Sequence, residues 1–118
     1  GWAAFDPRWT GEALCNVVDN AVKYTPAGGT VRICAQMLDS FCRVDVADSG
    51  PGIPEAELGE IFSRFYRGAG TRAAEGLGLG LYLAREILAS QGGYIKASSR
   101  PGEGSTFSLY LPRELPRA

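Results

Sequence analysis

The chain has 118 residues, 45% of them hydrophobic and 21% charged, with 12 basic side chains against 13 acidic ones, a formal net charge of −1. Histidine is absent, which excludes the commonest general base, every Ser-His or Cys-His nucleophile and all imidazole metal ligands, leaving carboxylates, amides, Lys and backbone N–H groups to carry chemistry. The length suits one domain with a two-layer core, and the balanced charge gives no global attraction to nucleic acid or an acidic membrane, so a polyanion would be held only by local groups.

Asp6-Pro7 reads as an N-cap followed by proline at the first helical position. Apolar residues at Leu14, Val17, Val18 and Ala21 then keep a helical period until Thr25-Pro26-Ala27-Gly28-Gly29, which predicts a helix over residues 7 to 24. Val31, Ile33, Ala35 and Met37 alternate with Thr30, Arg32, Cys34 and Gln36, and a second extended run covers 41 to 47 after Asp39-Ser40. This is a β-hairpin pattern, each strand having one core face. Asp48-Ser49-Gly50-Pro51-Gly52-Ile53-Pro54 is turn chemistry leading to a short helical piece over 55 to 61. Residues 62 to 75 hold three Arg, small residues and two Gly with no period, predicting a long mobile connection.

From Gly76 a glycine-rich entry opens a helix that stops at Gly92-Gly93. Strands over 93 to 99 and 105 to 111 follow across an Arg100–Gly104 turn, with Phe107, Leu109 and Leu111 on one face. Helices and antiparallel strands in blocks predict an α+β two-layer sandwich, helices covering one face of a mixed sheet. Cys15, Cys34 and Cys42 are odd in number, lack C-x-x-C spacing and have apolar neighbours, which predicts reduced core thiols of a cytosolic protein. No apolar run approaches the ~18 residues that span a bilayer, so the chain reads as soluble. Its start at Gly1 reads as that of a domain excised from a longer protein.

Three places carry chemistry. On the first helix Glu12, Asn16, Asn20 and Lys23 form a stripe opposite the apolar one. Asn is costly in mid-helix, but its carbonyl oxygen suits Mg²⁺, its amide donates to phosphate, and Lys23 adds a charge. Asp48 ends a strand beside Gly50 and Gly52, where a flat ring can approach bare backbone; its acceptor-only carboxylate favours the exocyclic amine of adenine over the carbonyl of guanine. Gly76, Gly78 and Gly80 precede a helix and offer N–H groups to phosphate, without the spacing of a dinucleotide fingerprint or a P-loop.

In order, these segments resemble the nucleotide-binding boxes of the sensor histidine kinase catalytic domain, a member of the Bergerat-fold ATPase superfamily. EALCNVVDNAVKYTP (12 to 26) is similar to the N box, DSGPGIP (48 to 54) to the first glycine box, and IFSRFYRG (61 to 68) to the phenylalanine box. GLGLGLYLAREI (76 to 87) is similar to the second glycine box and GEGSTFSLYLP (102 to 112) to the closing segment. The resemblance implies a mixed, mostly antiparallel sheet covered on one face by helices, with a flexible ATP lid over 62 to 75.

It further implies Mg²⁺ and ATP as cofactors. Asn16 would ligate the metal, Asn20 and Lys23 would meet the phosphates, and Tyr24 would border the nucleotide. Asp48 would accept the adenine amine beside Gly50, Gly52 and Ile53, and Thr106 would lie beneath the base. Gly76, Gly78 and Gly80, with Leu77 and Leu79 between them, would hinge the lid and offer backbone amides; Phe62 belongs to the same site. Arg64 or Arg67 would reach the terminal phosphate, and Glu12 would assist the accepting imidazole. The implied partner is a helical dimerisation domain bearing the histidine acceptor, then indirectly a response regulator, with no nucleic acid or membrane contact by this cytoplasmic domain. Alone, the chain would be a monomer with nucleotide affinity and little turnover. An anti-sigma-factor-type serine kinase and a non-catalytic nucleotide-binding module are the rival readings. Gln91 stands where the family often has His, and Ala69 to Ala74 fall in a lid of variable sequence.

Overall fold

The computed structural model describes residues 7–63 and 79–113. Its elements are α1 (Pro7–Tyr24), β1 (Val31–Met37), β2 (Phe41–Asp48), α2 (Glu55–Leu58), α3 (Gly80–Ser90), β3 (Tyr94–Arg100) and β4 (Gly104–Pro112). The strands form one sheet in the order β1-β2-β4-β3, and α1 and α3 pack together over one face of it. Every described strand pair is antiparallel, so the parallel component of the expected mixed sheet is not found among the described residues.

Alternation along β4 builds the core. Ser105, Phe107, Leu109 and Leu111 are buried under the helices, joined by Val46 of β2 and Ile95 of β3. From above, α1 contributes Ala13, Val17 and Ala21, and α3 contributes Leu81, Ala84 and Leu88. Removing a side chain such as Phe107 or Leu109 from water supplies roughly 1.5–3 kcal/mol each, and the largest fully buried side chain is Phe107.

Helix α3 ends where its glycines require. Gly92 takes φ +80°, its N–H donates to the Ala89 carbonyl at 3.1 Å, and the Gly93 N–H reaches back to Leu88 at 2.8 Å. That pair of bonds is the Schellman cap. A Cβ on Gly93 would lie 2.1 Å from the Tyr110 carbonyl oxygen, so the second glycine is needed for the close approach to β4.

Several expectations need correction. The buried residues of α1 are Thr10, Ala13, Val17 and Ala21, while Leu14 and Val18 are only half-buried. The core stripe is therefore rotated toward the Asn face, because α3 packs along that side. Strand β1 has no buried residue; it is one of the sheet's two edge strands, and α1 and α3 lie chiefly over β2, β4 and β3, with α1 reaching β1 only lightly. The cysteines are not core thiols. All three are free, Cys15 and Cys34 are exposed and Cys42 is half-buried, since Cys15 lies off the buried stripe of its helix and Cys34 lies on the edge strand's uncovered face. Helix α2 stops at Leu58 rather than 61; beyond it the bonds shorten to i, i+3 turns, from Glu60 to Glu57 and from Ser63 to Glu60, both 2.9 Å. The Asp6 cap, residues 64 to 75 of the lid, Arg64, Arg67, Gly76, Leu77 and Gly78 lie outside the described residues.

Candidate functional site

Asp48 is the last residue of β2, 9% exposed, and it faces the helices together with Val46. One carboxylate oxygen, Oδ1, accepts the Gly50 N–H at 2.9 Å, an Asx turn that aims the following loop away from the sheet. Three neighbours clamp that loop. Ser49 exchanges bonds with Thr30, its Oγ accepting the Thr30 N–H at 2.8 Å and its own N–H donating to the Thr30 carbonyl at 3.0 Å. Gly50 lies so close to the end of α1 that a Cβ there would sit 2.7 Å from the Tyr24 carbonyl oxygen. On the far side, Gly52 has φ +80°, and its Cβ would sit 2.5 Å from the Arg100 carbonyl oxygen. The glycines here are thus set by contacts of the loop with its neighbours, and the same bare backbone leaves an approach for a flat ring.

The register adds a residue that was missed. Asp48 pairs with Ser105, and Ser105 with Ser99, so a row of three polar side chains crosses the covered face at the end of the sheet. Thr106, expected beneath the base, pairs with Ala47 and Ser98 and faces the other side of the sheet. A one-residue shift along a strand reverses the face, and the signal was available: Phe107 faces the core, so 105 shares its side and 106 does not.

Helix α1 presents the second half of the site. Asn16 and Asn20 are half-buried, while Glu12 and Lys23 are exposed. The rotation of the buried stripe accounts for this difference, placing the two amides beside the seam with α3. The Asn16 Nδ2 is buried and without a hydrogen-bond partner, an orphan that costs about 1–3 kcal/mol unless something fills the need. Nearby, a Cβ on Gly80 would lie 4.0 Å from Asn16 Cβ, so the start of α3 approaches α1 at this residue. Leu79 caps α3 with no side-chain hydrogen bond, which leaves first-turn N–H groups available to an anion.

The remaining expected residues fall at the margins. Lys23 Nζ is 3.4 Å from Asp19, both exposed; such a pair is worth about 0–1 kcal/mol and yields readily to a phosphate. Ile53 is fully buried, a floor beneath the loop. Phe62 packs edge-on to Phe107 with centroids 6.1 Å apart, a half-buried side chain laid against the core. Tyr24 ends α1 beside Gly50. A cavity of about 560 Å³ at this end of the sheet is lined both by residues of the other face, Arg32, Ala47, Ser98 and Thr106, and by Asp48, Ser99 and Ser105. The site is assigned to the covered side, because Asp48, Asn16 and the start of α3 all face it.

The residues fit a metal-bound nucleotide. Among the described residues no group of three or more His, Cys, Asp or Glu could hold a metal, and Mg²⁺ asks for less: one or two protein oxygens with substrate phosphates and water. Turning the Asn16 amide over exchanges its donor for a hard oxygen at the same spot.

A glycine-bordered carboxylate at a strand end, facing a helix with paired amides and the uncapped start of a second helix, defines an ATP-binding module. Over residues 5–115 the chain matches the family described as "Histidine kinase-, DNA gyrase B-, and HSP90-like ATPase", and it belongs to that family. It is 43% identical over 108 residues to the adaptive-response sensory kinase SasA of Synechococcus sp. strain JA-2-3B'a(2-13), covering 91% of this chain and 29% of that protein. It is 41% identical over 102 residues to the sensor-like histidine kinase SenX3 of Mycobacterium tuberculosis strain H37Rv, covering 85% of this chain and 25% of that one. The chain therefore spans less than a third of the length of these relatives. Its structure superposes on the mycobacterial sensor histidine kinase MprB with a TM-score of 0.86 at 32% identity, over 94% of this chain and 76% of the other. The fold is that of a histidine kinase ATP-binding domain. None of its described helices is long and apolar enough to cross a membrane.

Proposed function

We propose that this single domain binds Mg²⁺-ATP and, as part of a longer sensor kinase, donates the γ-phosphoryl group to a histidine on a separate helical dimerisation domain, on the cytoplasmic side, for onward transfer to a response regulator. The observation that carries the reading is the buried, unpartnered Asn16 amide where α1 meets the start of α3. Asp48, with Gly50, Gly52 and Ile53 around it, recognises adenine; Tyr24 borders the nucleotide; Asn16 holds the metal; Asn20, Lys23 and the α3 entry take the phosphates. The metal would neutralise charge on the phosphate oxygens, since phosphoryl transfer is mainly positioning and electrostatics. By the resemblance alone, Gly76, Leu77 and Gly78 complete the phosphate cradle and Arg67 reaches the terminal phosphate.

Calorimetric titration with Mg²⁺-ATP and Mg²⁺-GTP tests the binding half. ATP is expected to bind more tightly than GTP, and Asp48→Ala to lose roughly 10- to 150-fold in ATP affinity, the worth of one hydrogen bond to a charged group. No binding, or equal binding of both nucleotides, refutes the adenine site. Glu12 is exposed on α1 four residues before Asn16, where an imidazole presented by another domain can reach it. With a supplied dimerisation domain, Glu12→Gln should slow phosphotransfer by about 10²- to 10⁴-fold, the usual range for general acid–base groups, at unchanged nucleotide affinity. A phosphotransfer rate that does not move removes Glu12 from the mechanism.

A further inference from the structure

Ser99 lies on the edge strand β3, two strands from Asp48, and is only half-buried. Its hydroxyl nevertheless ties β3 to two other segments, the Ile53 loop and the start of β4. The Ser99 Oγ accepts the Ile53 N–H at 2.7 Å, donates to the Gly104 carbonyl at 2.9 Å, and lies 3.0 Å from the Ser105 Oγ. A serine has one proton to give. With that proton committed to Gly104, the contact with Ser105 is made by the Ser105 hydroxyl donating to Ser99. Ser105 is 3% exposed and stands directly across from Asp48 in the register. With its proton drawn toward Ser99, the side of its oxygen turned to Asp48 offers lone pairs only.

We propose that Ser99 is a positioning residue that sets base specificity by holding Ser105 as an acceptor beside Asp48, while its bond from the Ile53 N–H anchors the adenine loop. This rests on the adenine reading of Asp48. An exocyclic amine entering the site would meet two acceptors, whereas a carbonyl in the same place would meet two acceptors and no donor. Rejection of a ligand group by an unmatched buried polar group is stronger than a size mismatch can supply. The loop is pinned on the same side by the Gly102 N–H, which donates to the Pro51 carbonyl at 2.7 Å, and by Gly104, where a Cβ would lie 2.0 Å from the Asp48 carbonyl oxygen. The β3–β4 turn and the adenine loop therefore form one hydrogen-bonded unit, with Ser99 at its centre.

The test measures Mg²⁺-ATP and Mg²⁺-GTP affinities and thermal midpoints for wild type, Ser99→Ala, Ser99→Thr, Ser105→Ala and the Ser99→Ala/Ser105→Ala double variant. Ser98→Ala, a hydroxyl on the opposite face, serves as control. In Ser99→Ala the Ser105 proton is released and can turn to meet a carbonyl, so the ATP:GTP affinity ratio should fall about tenfold, one hydrogen bond's worth. Ser99→Thr, which keeps the hydroxyl, should retain the ratio. In the Ser105→Ala background the Ser99→Ala change should leave the ratio within about twofold, since no hydroxyl remains to reorient. A Ser99→Ala ratio equal to wild type, with only the thermal midpoint lowered, overturns the inference, as does an undiminished effect in the Ser105→Ala background. A wild type without preference for ATP refutes the adenine reading and this inference with it; a wild type that prefers ATP and a Ser99→Ala that still does refute this inference alone.

Discussion

Ile33 of β1 and Val46 of β2 are direct cross-strand partners on the same face of the sheet, yet Ile33 is 51% exposed and Val46 is fully buried. One step further, β4 sets Phe107 against Val46 and buries it completely. Within three adjacent strands the same face passes from open to dry. The change follows the helices, which sit chiefly over β2, β4 and β3 and reach β1 only lightly, where Val31 is the residue packed against the core. Apolar alternation chooses a side for each residue; whether anything lies over that side is decided by the placement of other elements. The comparison bears on the site as well, because Asp48 and Ser105 lie at one end of β2 and β4, two of the strands that the helices cover.

The sharpest way to break the contrast is at its buried end. Phe107 packs under α1 and α3 and touches Phe62 edge to face, so Phe107→Ala leaves a cavity in the core and should cost about 3–5 kcal/mol. Urea denaturation read by circular dichroism measures this directly. A loss under about 1 kcal/mol would mean that the core collapses around the gap, and that roofing by the helices contributes less than the burial implies.

Much of this division was legible in advance. The alternation of Phe107, Leu109 and Leu111 gave the right core face because a period of two has only two choices, and the limits of α1 followed from Pro7 and from the Thr25-Pro26 stop. Asp48 could be placed because a carboxylate before Gly-Pro-Gly is recognisable as a bordered turn. What the pattern could not supply was cover and tilt. The α1 stripe turned toward Asn16 because α3 packs beside it, and no count along α1 alone contains that fact. The apolar neighbours of Cys15 and Cys34 were read as core for the same reason, although a neighbour in sequence on a strand or helix points elsewhere in space. The Ser105 assignment was different, since Phe107 already fixed its face. Ser99 came last, because its role lies in contacts with the Ile53 and Gly104 backbone that no spacing encodes.

The partners Val46 and Ile33 allow the smallest effects to be compared, because Thr replaces Val46 with an isosteric β-branched side chain carrying a hydroxyl and Ile33 with a β-branched one that is also a carbon shorter. At Val46 the hydroxyl enters a dry core, and a buried hydroxyl without a partner costs about 1–3 kcal/mol. At Ile33 it meets water on an edge strand, where threonine is also a good β former, so the change should stay within about 0.5 kcal/mol. Cys34→Ser, on the opposite face of β1 and exposed, should be equally silent within about 0.5 kcal/mol. Denaturation midpoints of the three variants decide the matter. Should Ile33→Thr cost as much as Val46→Thr, then β1 is covered in solution by something that packs on the edge strand, and the division between roofed and open strands would have to be moved outward by one.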